Sequence, residues 1–227
     1  AYTRLASGEL AGAVEVEENN LVFYADLMQG QKTGWFFDQR DNRAFVADLA
    51  KSAGAVLDLY AYTGGFAVQA AAGGAKRVLA VDSSAPALAL AQKAAARNGV
   101  AGSCEFRKQD AFDALEALAA GNERFEVVIA DPPPFARSKK DVPAALKGYR
   151  KLARTAAALV RPGGFMFIAS CSHNVTAEAF GLEVAGGISR AGRTGRILRA
   201  AGAGADHPVH PLLPETAYLK TLTLQLD

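Results

Sequence analysis

The sequence is poor in cysteine. Only Cys104 and Cys171 occur in 227 residues, 67 positions apart, too few for a disulfide framework and without the paired spacing of a zinc site. A reducing, cytoplasmic setting is the expectation. Long apolar runs are also missing: none approaches the roughly 18 residues of a membrane span. The opening Ala1-Tyr2-Thr3-Arg4-Leu5 has no charged-then-apolar export signal. Nor does one sign of charge dominate, since 25 basic and 23 acidic residues leave +2. That balance neither demands nor excludes a nucleic-acid partner, so local clustering has to decide. The chain opens on alanine instead of an initiator methionine, as a piece of a longer protein would. What remains is an ordinary globular composition, 50% hydrophobic and 21% charged. A chain this long forms one large or two small domains and needs no covalent staple.

The pattern begins with Val14 to Glu18 and Leu21 to Leu27, two extended runs around Asn19-Asn20. Asparagine tolerates the positive φ of a tight primed turn, so these read as a hairpin. A turn-rich stretch from Gln29 to Arg43, with three aromatic residues in its middle, feeds a helix near Asn42 to Ala53. Strands and helices then alternate: strand Val56 to Tyr60, helix Phe66 to Ala72, strand Arg77 to Asp82, helix Pro86 to Asn98. Strand Cys104 to Lys108, helix Ala111 to Ala120 and strand Val127 to Ala130 follow. A helix ending near Leu159 leads, through Pro162-Gly163-Gly164, to strand Phe165 to Ser170. Later elements are a helix near Thr176 to Ala185, a short strand near Arg196 to Arg199 and a last strand Tyr218 to Leu226. Strands alternating with helical periods predict an α/β fold, a doubly wound parallel sheet.

Open α/β sheets bind ligands beyond the carboxyl ends of their strands, so the residues after each strand carry the information. The first such segment holds Asp58, Tyr60, Tyr62, Thr63, Gly64 and Gly65. Its glycines let backbone turn sharply and approach a ligand. It is not a dinucleotide Gly-x-Gly-x-x-Gly, because Tyr60 and Tyr62 stand where glycines would lie. The second strand ends at Asp82-Ser83, where a carboxylate suits a ribose diol. The third leads to Asp110-Ala111, placed for an adenine amino group and an apolar contact. An aspartate after a strand is as readily a helix cap or a solvated turn.

After the fourth strand comes Asp131-Pro132-Pro133-Pro134-Phe135. The prolines stiffen the loop and leave carbonyls as pure acceptors. With the Asp131 carboxylate and the Phe135 ring they suit a heteroaromatic base bearing an amino group. A rigid helix-entry turn is the plainer alternative. Ser170-Cys171-Ser172 puts a thiol at the same rim. Taken alone it is a small buried apolar group. Opposite the Asp-Pro-Pro loop it is a candidate nucleophile, because carbon 5 of a pyrimidine is unreactive until something adds at carbon 6. Cys104, early in a strand, reads as structural.

Between Arg137 and Arg154 seven basic residues (Arg137, Lys139, Lys140, Lys147, Arg150, Lys151, Arg154) face a single acid, Asp141. Such a run is either a solvated helix face or a set of phosphate contacts for a polynucleotide. Arg190, Arg193, Arg196 and Arg199 form a second set. His173, His207 and His210 do not combine into a metal site, and no metal is expected.

These residues resemble the S-adenosylmethionine-dependent 23S ribosomal RNA cytosine-C5 methyltransferases of the large-subunit methyltransferase I type. Five motifs in order carry the resemblance: Gly30 to Arg43, Asp58 to Phe66, Asp131 to Lys139, Ser170-Cys171-Ser172 and Glu215 to Lys220. The likeness runs from about Val14 to the end. It implies a class I methyltransferase Rossmann-like sheet of seven strands with the last antiparallel, S-adenosyl-L-methionine as cofactor, and Cys171 as nucleophile beside Asp131. It also implies that Lys32 to Arg40, including Phe37 and Gln39, pack over the cofactor. Pro132, Pro133, Phe135, Arg137, Lys139 and Lys140 would meet the substrate, large-subunit ribosomal RNA. The chain then divides at 1–41, an extension with hairpin and cofactor cover, and 42–227, the methyltransferase domain. Family members carry a small RNA-binding PUA domain ahead of this region and can pair as homodimers. Pro134 stands where relatives carry lysine or another residue. Rival readings are methylation of an exocyclic amine of adenine or guanine, for which Cys171 would be dispensable, and a catalytically silent RNA-binding module.

Overall fold

The computed structural model describes residues 7–30 and 33–227. It starts with a hairpin, β1 (Val14–Glu18) and β2 (Leu21–Ala25), whose register pairs Val14 with Ala25 and Glu18 with Leu21. Asn19 and Asn20 take φ of 51° and 62°, as a two-residue primed turn requires. A 3₁₀ turn at Phe37–Gln39 runs into α1 (Arg40–Ala50). Then β3 (Val56–Leu59), α2 (Gly65–Ala72), β4 (Val78–Asp82), α3 (Ala85–Arg97), β5 (Cys104–Lys108), α4 (Ala111–Ala120) and β6 (Phe125–Ala130) alternate. They are followed by α5 (Val142–Leu159), β7 (Val160–Ser170), α6 (Ala177–Arg190), β8 (Gly195–Ala201) and β9 (Lys220–Leu226).

The helices start where sequence chemistry allows. Ser84 caps α3 by accepting from Ala87 N–H, with Pro86 in the first turn. Asp110 caps α4 through Phe112 and Asp113 N–H, and Thr176 caps α6 through Ala179 N–H. Several elements run further than their sequence pattern indicates, β7 and α6 the most. β7 begins at Val160, with the Pro162-Gly163 turn extruded where its register on β6 shifts. α6 continues five residues past Ala185 because its glycine pair is a packing device and not a stop. A Cβ at Gly187 would lie 2.6 Å from Arg150 carbonyl oxygen and 2.7 Å from Ala153 Cβ, so glycine is what lets α6 close on α5.

The seven-stranded sheet has the order β5-β4-β3-β6-β7-β9-β8. The first five are parallel, and β9 is antiparallel between β7 and β8. Alternation along β3 sends Leu57 and Leu59 to one face and Val56 to the other. The first face packs on Leu115, Tyr149, Leu152 and Phe180 of α4, α5 and α6; the second packs on Phe66, Ala67 and Ala70 of α2. The hairpin adds a third cluster, Phe23, Tyr24 and Trp35 against Val68, Ala94 and Ala95. It is tied to α3 by Asn98, which exchanges two hydrogen bonds with the Val22 backbone at 3.0 and 2.7 Å. Among the described residues no helix is long and apolar enough to cross a membrane.

Chain order reverses between β3 and β6: from β3 the chain winds outward to β4 and β5, then returns to β3's other flank. Loops leaving the carboxyl ends of two such strands diverge and leave a crevice between them.

Candidate active site

A cleft of about 880 Å³ opens at that reversal point. One wall is the loop after β3. Tyr60, Tyr62 and Gly64 have φ of 63°, 49° and 82°, so the chain curls back on itself within five residues. Two tyrosines in left-handed conformation are strained, and the surrounding hydrogen bonds hold them. Ala61 N–H donates to Val81 carbonyl oxygen at 3.0 Å, and Tyr62 N–H to Asp82 Oδ2 at 2.8 Å. Asp82 Oδ1 accepts from Ser84 N–H at 2.7 Å. The Asp82 carboxylate is thus fixed at the cleft edge, beside Ser83. At Gly65 a Cβ would lie 2.6 Å from Arg43 Nε, so only glycine admits the guanidinium over the start of α2. Thr63 Oγ1 is buried against this wall with no hydrogen-bond partner among the described residues.

Asp58 lies within β3, 1% exposed, and accepts from Ala67 N–H at 2.9 Å. It sits behind the wall and not on it. Burial holds its carboxyl well above the usual range, and the Asp131 and Asp82 charges add to that against the Ala67 bond. Gly64 also lies behind the wall, where a Cβ would meet Ala91 at 2.9 Å.

The segment Trp35 to Gln39 forms a strap over the cleft. It is held by Glu18, whose buried carboxylate accepts from Arg43 Nη1 at 2.6 Å, Trp35 Nε1 at 2.9 Å and Gln69 Nε2 at 2.9 Å. Arg43 also donates to Phe36 carbonyl oxygen at 2.8 Å and lies over the Trp35 ring at 4.4 Å. Trp35, Phe36, Asp38 and Arg43 all line the cleft; the first three fall in the Lys32 to Arg40 stretch that the resemblance puts over the cofactor, and Arg43, with its partner Glu18, lies outside it. One signal was available: period-two alternation puts Glu18 on the same face as Val14 and Val16, a carboxylate aimed at the interior.

Gln39 joins the strap to the opposite wall, donating to Asp131 Oδ2 at 2.9 Å. That wall holds Asp131, Pro132, Pro133 and Cys171. Cys171 Sγ stands 3.9 Å from Pro132 carbonyl oxygen, so the thiol and the Asp-Pro-Pro turn face one another. Both flanking serines are buried beneath. Tyr149 hydroxyl lies 2.8 Å from Ser170 Oγ and 3.0 Å from Ser172 Oγ, and Ser172 Oγ accepts from Ala136 N–H at 3.1 Å. Lys220, half-buried, donates to Ser172 and Val175 carbonyl oxygens at 2.7 and 2.8 Å. Burial lowers its pKa, and a charge on Cys171 works the other way. The loop bearing the thiol is therefore fastened to α5, to the Asp-Pro-Pro loop and to β9. Cys104 contrasts with it: burial pushes that thiol up to about 11, away from reactivity.

Several residues singled out in the sequence lie away from the cleft lining. Asp110 is exposed and its carboxylate is spent on capping α4, while Ala111 is buried in the core. Phe135 turns inward onto Tyr149, ring centroids 4.7 Å apart, and Gly148, because a half-apolar loop gains more by covering α5 than by facing water. Phe37 is 43% exposed, and Arg40 reaches Asp206 at 3.0 Å. Arg137, Lys139 and Lys140 are exposed on the approach to α5. Lys32 lies outside the described residues. Gln39, Tyr60, Tyr62, Thr63, Gly65, Asp82, Ser83, Asp131, Pro132, Pro133 and Cys171 do converge on the cleft.

Comparison with known proteins locates this arrangement. The family model for S-adenosylmethionine-dependent methyltransferases matches residues 2–192. Ribosomal RNA large subunit methyltransferase I of Tolumonas auensis is 40% identical over 98% of this chain and 57% of its own length. A ribosomal RNA large subunit methyltransferase of Deinococcus radiodurans is 39% identical over 97% and 54%. A solved Streptococcus mutans chain described as a SAM-dependent methyltransferase superposes with TM-score 0.85 at 26% identity, covering 97% of this chain and 57% of its own. Another, described as a methyltransferase complexed with SAH, gives 0.85 at 28%, covering 97% and 58%. The chain spans a little over half the length of these relatives.

Proposed function

The chain belongs to the S-adenosylmethionine-dependent methyltransferase family, and from that premise we propose that it methylates carbon 5 of a cytosine in large-subunit ribosomal RNA through a covalent adduct on Cys171. The cleft fits the cofactor. Asp82 offers a fixed carboxylate for a ribose diol, Ser83 stands beside it on the cleft lining, and the buried Thr63 hydroxyl lacks a hydrogen-bond partner among the described residues. Asp82, Ser83, Tyr60, Tyr62, Thr63 and Gly65 would hold it under the Trp35 to Gln39 strap. When bound, S-adenosylmethionine supplies an electrophilic methyl that the activated carbon 5 takes up.

The observation that carries the C5 reading is the placement of Cys171 across from Asp131-Pro132 within one cleft, Sγ 3.9 Å from the Pro132 carbonyl oxygen. A base entering the cleft beside them meets the nucleophile and the hydrogen-bonding groups of the turn together. The Cys171 thiolate forms a bond to carbon 6, and the electron pair displaced from the C5–C6 double bond makes carbon 5 nucleophilic. Asp131, oriented by Gln39, accepts from the exocyclic amine and, carrying a proton, donates to N3, which neutralises the charge that develops there. After carbon 5 is methylated a base takes its proton, the C6–S bond breaks and the thiolate is returned. Such a base must leave its duplex stack to enter the cleft, which favours an exposed or flipped nucleotide. Such a reaction belongs in the cytoplasm, with the ribosomal RNA.

RNA carrying 5-fluorocytosine tests this, because fluorine cannot leave as a proton does. The expected result is a covalent protein–RNA complex that Cys171→Ala does not form, with calorimetric S-adenosylmethionine binding unchanged in the variant. Methylated amine nitrogen in the product, with Cys171→Ala still active, would overturn the covalent route in favour of exocyclic-amine methylation.

A further inference from the structure

A second concavity, of about 450 Å³, lies between α5 and α6 and is lined by Lys147, Arg150, Lys151, Arg154 and Arg190. The spacing 147, 150, 151, 154 puts four of these on one stripe of α5, and Gly187 brings α6 close enough to add Arg190 from its last turn. Among the described residues five cations face the groove and no carboxylate lines it. Glu183 takes up Arg150 through two hydrogen bonds, one to Nη2 at 2.8 Å, and Glu116 stands 3.8 Å from Lys151. Lys147, Arg154 and Arg190 have no carboxylate within 4 Å among the described residues. Like charges gathered in a concave surface raise the local potential and concentrate an anion there. By contrast, the neighbouring Arg193 is spent within the fold, donating to the carbonyl oxygens of Ala157, Val160 and Asp227.

We propose that this groove binds a run of phosphates flanking the target nucleotide, so that the RNA strand leaves the cleft along α5. The proposal rests on the RNA reading above and gives it a second, non-catalytic contact surface. The chain order supports it: Asp131 to Pro133 line the cleft, Arg137 follows, Lys139 and Lys140 occupy the 3₁₀ turn entering α5, and the stripe continues to Arg154. From Lys147 to Arg154 the helix rises about 10 Å. A groove recessed between two helices admits a polynucleotide strand, whereas a flat bilayer would meet only its lips.

The test compares two triple variants of equal charge, Lys147→Ala/Arg154→Ala/Arg190→Ala in the groove and Lys51→Ala/Lys76→Ala/Arg124→Ala in the turns that precede β3, β4 and β6. All six residues are exposed. Binding of a protein-free large-subunit ribosomal RNA transcript is measured against salt concentration, with calorimetric S-adenosylmethionine binding as the folding control. The groove variant should lose about tenfold or more in RNA affinity near physiological salt. Its log–log salt slope should fall by about 2, as three lost phosphate contacts dictate. The control triple should keep the wild-type slope, and both should bind the cofactor normally. Equal losses in both triples, or none in the groove triple while the wild type binds RNA, would overturn the groove and leave the RNA reading standing. A wild-type chain that binds no RNA would overturn both. Loss confined to vesicles containing anionic lipid would make the groove a membrane contact and overturn the proposal.

Discussion

The two walls of the cleft are held by different physics. On the β3–β4 side the strap and the curled loop depend on a buried ion pair, Arg43 with Glu18, side chains 5% and 1% exposed, and on charged hydrogen bonds around it. On the β6–β7 side the thiol-bearing loop hangs on hydroxyls, a backbone amide and carbonyl acceptors centred on Ser170, Ser172 and Tyr149. A buried charge that loses its partner is left uncompensated, whereas a neutral hydrogen bond that is lost costs one desolvated group. The first wall should therefore fail as a stability defect and the second as a loss of positioning.

The sharpest way to break the comparison is Arg43→Ala. It leaves Glu18 buried with two neutral donors, and chemical denaturation should show a loss of about 3–5 kcal/mol, with S-adenosylmethionine affinity falling as the strap loosens. A loss below about 1 kcal/mol, within the range of an ordinary surface substitution, would show that the ion pair is not what holds the strap. Ser172→Ala should act on the other wall. It strips the Ala136 N–H and one Tyr149 contact of their acceptor, for about 1–3 kcal/mol. Adduct formation with 5-fluorocytosine RNA should slow by roughly 10- to 100-fold, while cofactor affinity stays at the wild-type value. Restoration of the rate by Ser172→Thr would identify the hydroxyl as the positioning group.

The smallest effect concerns pH. Asp58 is buried behind the β3-side wall, and burial, reinforced by the Asp131 and Asp82 charges, raises its pKa above the unfolded value. As pH climbs from the ordinary carboxylate range near 4 toward the folded pKa, the unfolded chain releases a proton that the native state retains. Stability therefore falls across that window and levels off beyond it. Asp58→Asn does not titrate, and its oxygen can still accept from Ala67 N–H. Its denaturation midpoint should gain on the wild type between pH 4 and 7.5, and parallel pH curves for the two proteins would refute the argument.

Much of the fold was legible because hydrophobic period is a local property. The Asn19-Asn20 hairpin and the β–α alternation from Val56 onward follow from residues a few positions apart. Residues at strand ends were legible as a set: Tyr60, Tyr62, Thr63, Gly65, Asp82, Asp131 and Cys171 meet in one cleft. What a strand-end aspartate does there was not. Asp82 faces the cleft, Asp58 faces the start of α2, and Asp110 caps a helix, although all three looked alike.

The sequence by itself determined the order of elements, the α/β class and the chemistry available at the carboxyl edge of the sheet, because those depend on period, turn residues and local spacing. Tertiary structure alone decided how those groups are supported. Glu18 finds Arg43 and Gln69 across 25 and 51 residues, Gln39 finds Asp131 across 92, and Ser172 finds Ala136 across 36. It also turned Phe135 away from the cleft and closed Arg190 onto the stripe of α5. The physical reason is that a hydrogen bond or charge pair takes its worth from burial and direction, and both come into being only when distant segments pack.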